Sequence, residues 1–384
     1  MQSAAAVPPV TMSDIYCTRA TLKATLDKYG VAAIRNVITQ THCDEMLSGM
    51  DQTMETLLSK MPVPFKADDP ATWKTLGDAA PLHTMIFQHS SVGCAKYSVD
   101  IRQNPDIAAN FAELYGCPVD DLWVSSDGVA AYYPCARKTN PRTRTMPDGT
   151  KAEIPKPLHV DNNPRKKTTD SVQSWVTAVD VLSGDATLTV LARGNSHWAE
   201  FSDRFATTVK KGPAETTDKW EVADSNDWHV LSEEQYAFFT DRGCNLLKIE
   251  CEAGTQVFWN SCTPHKGTPA DQPFESRSKR CVVYVCMAPA SFSERLYRQG
   301  KFSLSKTHAK AIEKKRASVF STGRNTSHSP TNFRTFPLVP HMPGGAPPPD
   351  LVRIASESDA EERLAWLTPL GRKLFSVDMD KYGH

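Results

Sequence analysis

The spacing of apolar positions changes once along this chain, and the change separates a helical opening from a strand-rich centre. Between residues 17 and 60, apolar side chains recur at three- and four-residue steps in CTRATLKATLDKY and THCDEMLSGMDQTMETLLSK, with the apolar run VAAIRNV after Gly30 between them. That pattern predicts helix, strand, helix. Residues 61–95 read as a long irregular connection. A further helix is expected over PDIAANFAELY, because Pro105 suits a first helical turn and Gly116 a left-handed stop.

Beyond Gly116 the apolar positions alternate with a period of two, as in strands. DLWVSSDGVAAYYP predicts one or two strands. SVQSWVTAVDVL and TLTVLAR predict an adjacent pair joined by a hairpin turn at Ser183-Gly184-Asp185. LLKIECEAGTQVFW holds two strands around Ala253-Gly254, and RCVVYVCMA closes the set. Six to eight short strands with few helices among them predict an antiparallel double-sheet barrel, mainly β with flanking helices, an α+β chain.

The expected organisation has three parts. Residues 1–13 read as a disordered lead-in. Residues 14–290 form one domain holding the helices and the barrel, with inserted loops at 136–157 and 198–243 that suit the mouth of a site. Residues 291–384 read as a C-terminal helical extension, interrupted by a Pro/Gly linker at 338–350.

Bulk properties narrow the classes. The 384 residues carry 44 acidic and 44 basic side chains, so no global field draws the chain to nucleic acid or a membrane surface. No basic stretch followed by an apolar core opens the sequence, and no apolar run approaches the roughly 20 residues a spanning helix needs. A cytoplasmic or nuclear protein without signal peptide or membrane span is therefore expected. The ten cysteines form no C-x-x-C pair, which argues for reduced, buried thiols rather than structural zinc. Oligomeric state is not set by any of these features.

The chemistry concentrates in three separated places. His159 and Asp161 are two apart, and on a strand such residues share a face. His265 follows the apolar strand GTQVFWN in the polar turn SCTPHKG. Two imidazoles and one carboxylate on one side of an ion leave positions open opposite, an arrangement suited to ferrous iron that binds O₂ and a co-substrate. Arg280 alternates with Val282 and Tyr284 on the last strand, and a guanidinium facing into the barrel needs a carboxylate partner. The C5 carboxylate of 2-oxoglutarate would supply one, held bidentately. Arg277 competes for this role, since the start of the strand within ESRSK is not fixed by the pattern.

Taken with LDKYGVAAIRNVITQTHCDEM, SWVTAVDVLSGDATLTVLARGNSHW and GTQVFWNSCTPHKGTPADQPFESRSKRCVVYVCMAP, these residues resemble the phytanoyl-CoA dioxygenase-like branch of the Fe(II)/2-oxoglutarate-dependent oxygenases. The resemblance covers about residues 20–55 and 95–290. It implies a double-stranded β-helix of the jelly-roll or cupin kind, with helices before and after it. It also implies iron ligands His159, Asp161 and His265, and Arg280 as the 2-oxoglutarate clamp. Trp175 falls at an aromatic position lining the co-substrate pocket, and Tyr132 or Tyr133 would bond the same ligand. His197, in the Gly-x-Ser-His segment, reads as structural. The implied cofactors are Fe(II), 2-oxoglutarate and O₂, with ascorbate as candidate reductant.

The implied reaction hydroxylates a C–H bond of a small-molecule substrate while 2-oxoglutarate is decarboxylated to succinate and CO₂. A protein or nucleobase hydroxylase of the same mechanism is the alternative, along with a non-catalytic cupin-like metal-binding scaffold. Basic residues Lys138, Arg142, Arg144, Arg165, Lys166 and Lys167 flank the expected mouth, a pattern that fits recognition of a phosphate, a coenzyme A tail, an acidic peptide or nucleic acid, or else a solvated loop.

Overall fold

The computed structural model describes residues 7–79, 81–82, 85–134, 143–145, 151–153, 158–167, 171–206, 228–271, 279–292, 306–331, 334–340 and 348–377. Arg277, Lys138 and Arg142 lie outside these residues, as does most of the two expected inserted loops and of the 338–350 linker.

Fifteen strands are described. They are β1 (Val31–Ile34), β2 (Ile86–Phe87), β3 (Leu122–Val124), β4 (Val129–Tyr132), β5 (Thr143–Thr145), β6 (Lys151–Glu153), β7 (His159–Val160) and β8 (Val172–Thr177). There follow β9 (Thr187–Ala192), β10 (His229–Val230), β11 (Asn245–Lys248), β12 (Gln256–Asn260), β13 (His265–Thr268), β14 (Arg280–Val285) and β15 (Met287–Pro289). A six-stranded sheet runs β1-β12-β8-β14-β4-β2, and a five-stranded sheet runs β10-β7-β13-β9-β11. All pairings between named strands are antiparallel.

The pairing is nested: β4 lies against β14, β7 against β13, β8 against β12 and β9 against β11. The inner strands of this nest switch sheets between neighbours, and here the structure corrects an expectation. The turn at 183–185 does not make a hairpin of β8 and β9. Strand β8 pairs with β12 and β14, while β9 crosses to the other sheet and pairs with β11 and β13. Gly184 supplies a left-handed turn with φ of 85°, and the reversal carries the chain across the core rather than along one sheet.

Period-two alternation then sorts side chains into layers. Tyr132, Trp175, Val257, Trp259 and Val282 of the six-stranded sheet share a core with Leu188, Val190, Ala192 and Leu247 of the five-stranded one. Their sequence neighbours point the other way. Tyr133, Val176, Phe258, Cys281 and Val283 join a second core beneath α1 (Leu22–Tyr29), α2 (Gln40–Leu57), α3 (Lys96–Arg102) and α4 (Pro105–Tyr115). A third core, around Phe201, Phe238 and Phe239, seats α5 (Trp198–Phe205) and α6 (Glu233–Thr240) on the far side of the five-stranded sheet. Each large apolar side chain so buried stabilises the fold by about 1.5–3 kcal/mol.

Helix α4 spans the residues expected for it, with Asn104 capping Asp106 and Ile107 and Gly116 left-handed at φ 62°. Residues 7–13, grouped above in a disordered lead-in, are tied down. Val10 is buried, and its N–H donates to Asn245 Oδ1 at 2.7 Å. The C-terminal helices α7 (Lys306–Ser321), α8 (Ala360–Ala365) and α9 (Pro369–Leu374) dock back onto the sheet region. Buried Arg316 joins them, donating to Val124 O and Pro330 O at 2.7 Å and to Leu374 O at 2.8 Å. These partners are carbonyls rather than carboxylates, and burial pulls Arg316 down to about 9. Among the described residues no helix is long and apolar enough to cross a membrane.

Candidate metal centre and co-substrate pocket

The nest of strands brings the first candidate site together. Strand β7 begins at His159 and β13 begins at His265, and the two histidines face each other directly in the antiparallel register. Their rings sit 4.4 Å apart. Asp161, just past the end of β7, places Oδ2 3.1 Å from His265 Nε2 and 3.9 Å from His159 Nε2. One donor atom from each residue lies within 4.8 Å of the others, close to what three ligands about 2.1 Å from one ion require. The three side chains are 13, 11 and 5% exposed for His159, Asp161 and His265, so the group is sheltered yet reachable.

Surrounding groups orient these donors. His265 Nδ1 lies 2.9 Å from Thr263 O, so an N–H there donates to the carbonyl and leaves the Nε2 lone pair facing Asp161. The Thr263 hydroxyl in turn donates to Gly30 O at 2.9 Å. A Cβ at Gly30, whose φ is +74°, would fall 2.4 Å from that hydroxyl, which explains glycine at this turn. Gln173 on β8 donates its amide to Asp161 Oδ2 at 2.8 Å and to Ser261 Oγ at 3.3 Å. Burial pushes the Asp161 carboxyl up, but His328, His265 and His159 outweigh it and hold the group below the usual carboxylate range. The donor set is thus an anion with two imidazoles, one oriented to offer a lone pair, as a divalent transition ion requires.

The second candidate feature lies on the same inward face. Arg280 opens β14 opposite Tyr132, and it is 3% exposed. Its Nη1 donates to Ala186 O at 2.6 Å, and its guanidinium sits 5.4 Å from the Trp175 ring centre. Arg280 Nε and Trp175 Nε1 are buried without a hydrogen-bond partner, and among the described residues no carboxylate reaches Arg280 at ion-pair distance. Burial pulls the guanidinium down, opposed by Tyr284 and Cys251. A buried cation with an unmet donor, beside an indole N–H also unmet, calls for an acceptor carrying negative charge. A carboxylate fits that description.

Strand β8 links the two features. Gln173 touches Asp161 and Trp175 touches Arg280, and these two residues are one pleat repeat apart, about 6.6 Å along the strand. Of the tyrosines, Tyr132 shares this core. Tyr133 does not: it points to the helix side, packs on Phe65 and Trp73, and donates its hydroxyl to Asp51. The place of Tyr133 among the co-substrate candidates is corrected by the pleat, which sends adjacent residues to opposite faces. His197 ends the turn Gly194–His197 and is not part of the three-residue group.

Sequence reasoning missed Gln173, Thr263 and Trp228, whose ring lies 5.9 Å from that of His159. Gln173 carried a usable signal, since it stands two residues before Trp175 on one strand and therefore on the same face.

No family model matches the chain. The sequence is 26% identical over 194 residues to "Ava biosynthesis cluster protein O" of Aspergillus versicolor, an alignment covering 50% of this chain and 54% of that protein. The chain therefore spans about half the length of the curated relative it matches. Solved structures similar to it include non-heme iron and α-ketoglutarate-dependent enzymes. The epimerase SnoN in complex with Fe3+, alpha ketoglutarate and nogalamycin RO aligns at TM-score 0.40 and 15% identity, covering 71% of this chain and 84% of that one. The carbocyclase SnoK from nogalamycin biosynthesis aligns at TM-score 0.42 and 13% identity, covering 74% and 88%. Likeness of this degree leaves the chemistry to be argued from the residues.

Proposed function

We propose that the chain is an Fe(II)/2-oxoglutarate-dependent oxygenase of the phytanoyl-CoA dioxygenase-like branch that hydroxylates a C–H bond of a small-molecule substrate. The observation that carries this reading is the pairing of a His159–Asp161–His265 donor set with a buried Arg280 that, among the described residues, has no carboxylate at ion-pair distance, both on one inward face. The nested strands support the fold half of the reading. Eight of them, β4, β7, β8, β9, β11, β12, β13 and β14, pair first with last as in a hairpin rolled into two sheets, the pattern of a double-stranded β-helix.

His159, Asp161 and His265 would hold the iron, and Arg280 with the Trp175 indole N–H would hold the far carboxylate of 2-oxoglutarate. Bound there, the metal and co-substrate supply oxidative decarboxylation to succinate and CO₂ together with transfer of one oxygen atom to the substrate. The chain's own part is positioning. Asp161 balances charge, Gln173 fixes its carboxylate, Thr263 fixes the His265 tautomer, and the inter-sheet aromatics exclude water. A gap of about 6.6 Å between the two anchoring positions on β8 suits a five-carbon dicarboxylate.

The test is thermal stabilisation by Mn(II) with N-oxalylglycine, an inert analogue of the co-substrate. Wild type is expected to gain several degrees in Tm and His159→Ala none. Equal shifts for both proteins, or none for wild type, would overturn the assignment. Succinate formation from 2-oxoglutarate with Fe(II) and ascorbate checks turnover.

A further inference from the structure

One buried donor beside the metal-binding set has no part in the function proposed above. Trp259, on β12, is 2% exposed, and its ring lies 5.6 Å from that of His265. Its Nε1 is buried and has no hydrogen-bond partner. An indole nitrogen only donates, so an acceptor has to come to it.

The strand register gives the level of the pocket at which that donor stands. Trp259 lies directly opposite Gln173, and Val257 directly opposite Trp175. Residues so opposed bring their Cβ atoms to about 4.5–5.5 Å. Trp175, Val257 and Trp259 all belong to the inner core. Trp175 marks the level of Arg280, whose guanidinium is 5.4 Å from its ring centre. Gln173 marks the level of Asp161, to which it donates at 2.8 Å. Trp259 is therefore one pleat repeat, about 6.6 Å, from the Trp175 level and on the metal side of it. The inner face carries unmet donors at both levels: Arg280 Nε and Trp175 Nε1 at one, Trp259 Nε1 at the other.

Packing alone does not explain an indole at this place. Phenylalanine would fill most of the same space beside Val31 and His265 without a buried N–H, which costs about 1–3 kcal/mol while unmet. A dicarboxylate lying between the two levels presents acceptor oxygens at each end. An α-oxo acid that gives one carboxylate oxygen to a metal keeps the other oxygen of that carboxylate free to accept.

We propose that Trp259 binds the metal-side carboxylate of the co-substrate through its indole N–H, while Arg280 and Trp175 hold the far one. This role rests on the oxygenase reading above and adds to it the group that fixes how the oxo-acid head is turned on the ion. Turning the head about the metal would break the bond to Trp259, so a single orientation is favoured.

Full-length protein loaded with Mn(II) is titrated by calorimetry with two probes. N-oxalylglycine carries both carboxylates, and oxalate carries the metal-binding head alone. Trp259→Phe, which keeps an aromatic ring and removes the N–H, is expected to weaken both probes by about tenfold. Arg280→Leu should weaken N-oxalylglycine and leave oxalate unchanged. Mn(II) by itself should bind Trp259→Phe as tightly as wild type. A direct readout comes from wild type labelled at the indole nitrogens and loaded with diamagnetic Zn(II). The Trp259 resonance, assigned by its loss in Trp259→Phe or, should that variant fold poorly, in Trp259→Tyr, is expected to move downfield when oxalate is added. An unchanged oxalate affinity in Trp259→Phe, a weakened affinity for Mn(II) alone, or a resonance that stays in place would each overturn the role of Trp259. The two readings fail separately. Wild type that binds no N-oxalylglycine with Mn(II) defeats the oxygenase assignment, whereas equal binding by wild type and Trp259→Phe defeats the role of Trp259 alone.

Discussion

The two faces of the six-stranded sheet are built from alternate residues of the same strands, yet they treat polar groups differently. On the helix side, Tyr133 donates to Asp51, Ser174 donates to Val285 O at 2.7 Å, and Gln256 accepts from Asn110 at 2.9 Å. On the inner side, Arg280 Nε, Trp175 Nε1 and Trp259 Nε1 are buried with no partner. Each unmet buried donor costs about 1–3 kcal/mol, so the inner face forgoes stability that the outer face secures. A protein tolerates that cost where a ligand completes the bonding. The incomplete face is where function should be sought.

The largest expected effect breaks the inner face at the metal. Asp161→Ala removes the one anionic donor of the set, leaves His265 Nε2 without its partner, and leaves the Gln173 amide with Ser261 Oγ alone. Mn(II)-dependent thermal stabilisation and succinate formation should both fall to background, and dialysis of wild type against a chelator should reproduce the loss until Fe(II) is restored. Next comes the cation. Arg280→Leu should raise the KM for 2-oxoglutarate by about a hundredfold, the worth of roughly two charge-assisted hydrogen bonds. Its neighbour on the opposite face, Cys281, is the control: Cys281→Ala should lower Tm slightly and leave that KM where it was. A similar KM in the two variants would refute the sorting of faces.

How much of this the chain discloses by itself depends on whether a feature is local. The limits of α4 are written in Pro105 and Gly116, and the inward direction of Arg280 follows from its alternation with Val282 and Tyr284. Strand partners are another matter. The turn at 183–185 announces a reversal, but whether β9 then joins β8 or the opposite sheet depends on nested pairing with β11 and β13, far along the chain. The meeting of His159 with His265 depends on the same nest. The adjacent tyrosines 132 and 133 could not be separated before the register of β4 was known.

Acid tests the outer side. His89, just beyond β2, is 6% exposed, and burial lowers its pKa from 6.5 to about 4. A histidine whose pKa is depressed on folding binds fewer protons folded than unfolded between those two values. Stability therefore falls as pH drops from about 6.5 towards 4, by up to about 3 kcal/mol at the lower end. His89→Gln should flatten the Tm-versus-pH curve across that window while leaving the affinity for Mn(II) unchanged. A curve as steep as that of wild type would show that His89 is not the group responsible.

The smallest expected effects come from the sharpest contrast, two tyrosines side by side. Tyr132 stands opposite Arg280 in the inner core, while Tyr133 packs on Phe65 at 4.8 Å and bonds Asp51 beneath the helices. Removing the Tyr133 hydroxyl leaves Asp51 with Lys279, whose Nζ is 3.4 Å away. Tyr133→Phe should therefore cost about 1 kcal/mol in denaturant unfolding without altering the KM for 2-oxoglutarate. Tyr132→Phe should do the reverse, raising that KM a few-fold with little change in stability, because Tyr132 faces the inner core across the register from Arg280. Two variants that change the same quantity would mean the pleat does not divide structure from function here, since a single methyl-sized edit on each face is the finest probe of which side the co-substrate occupies.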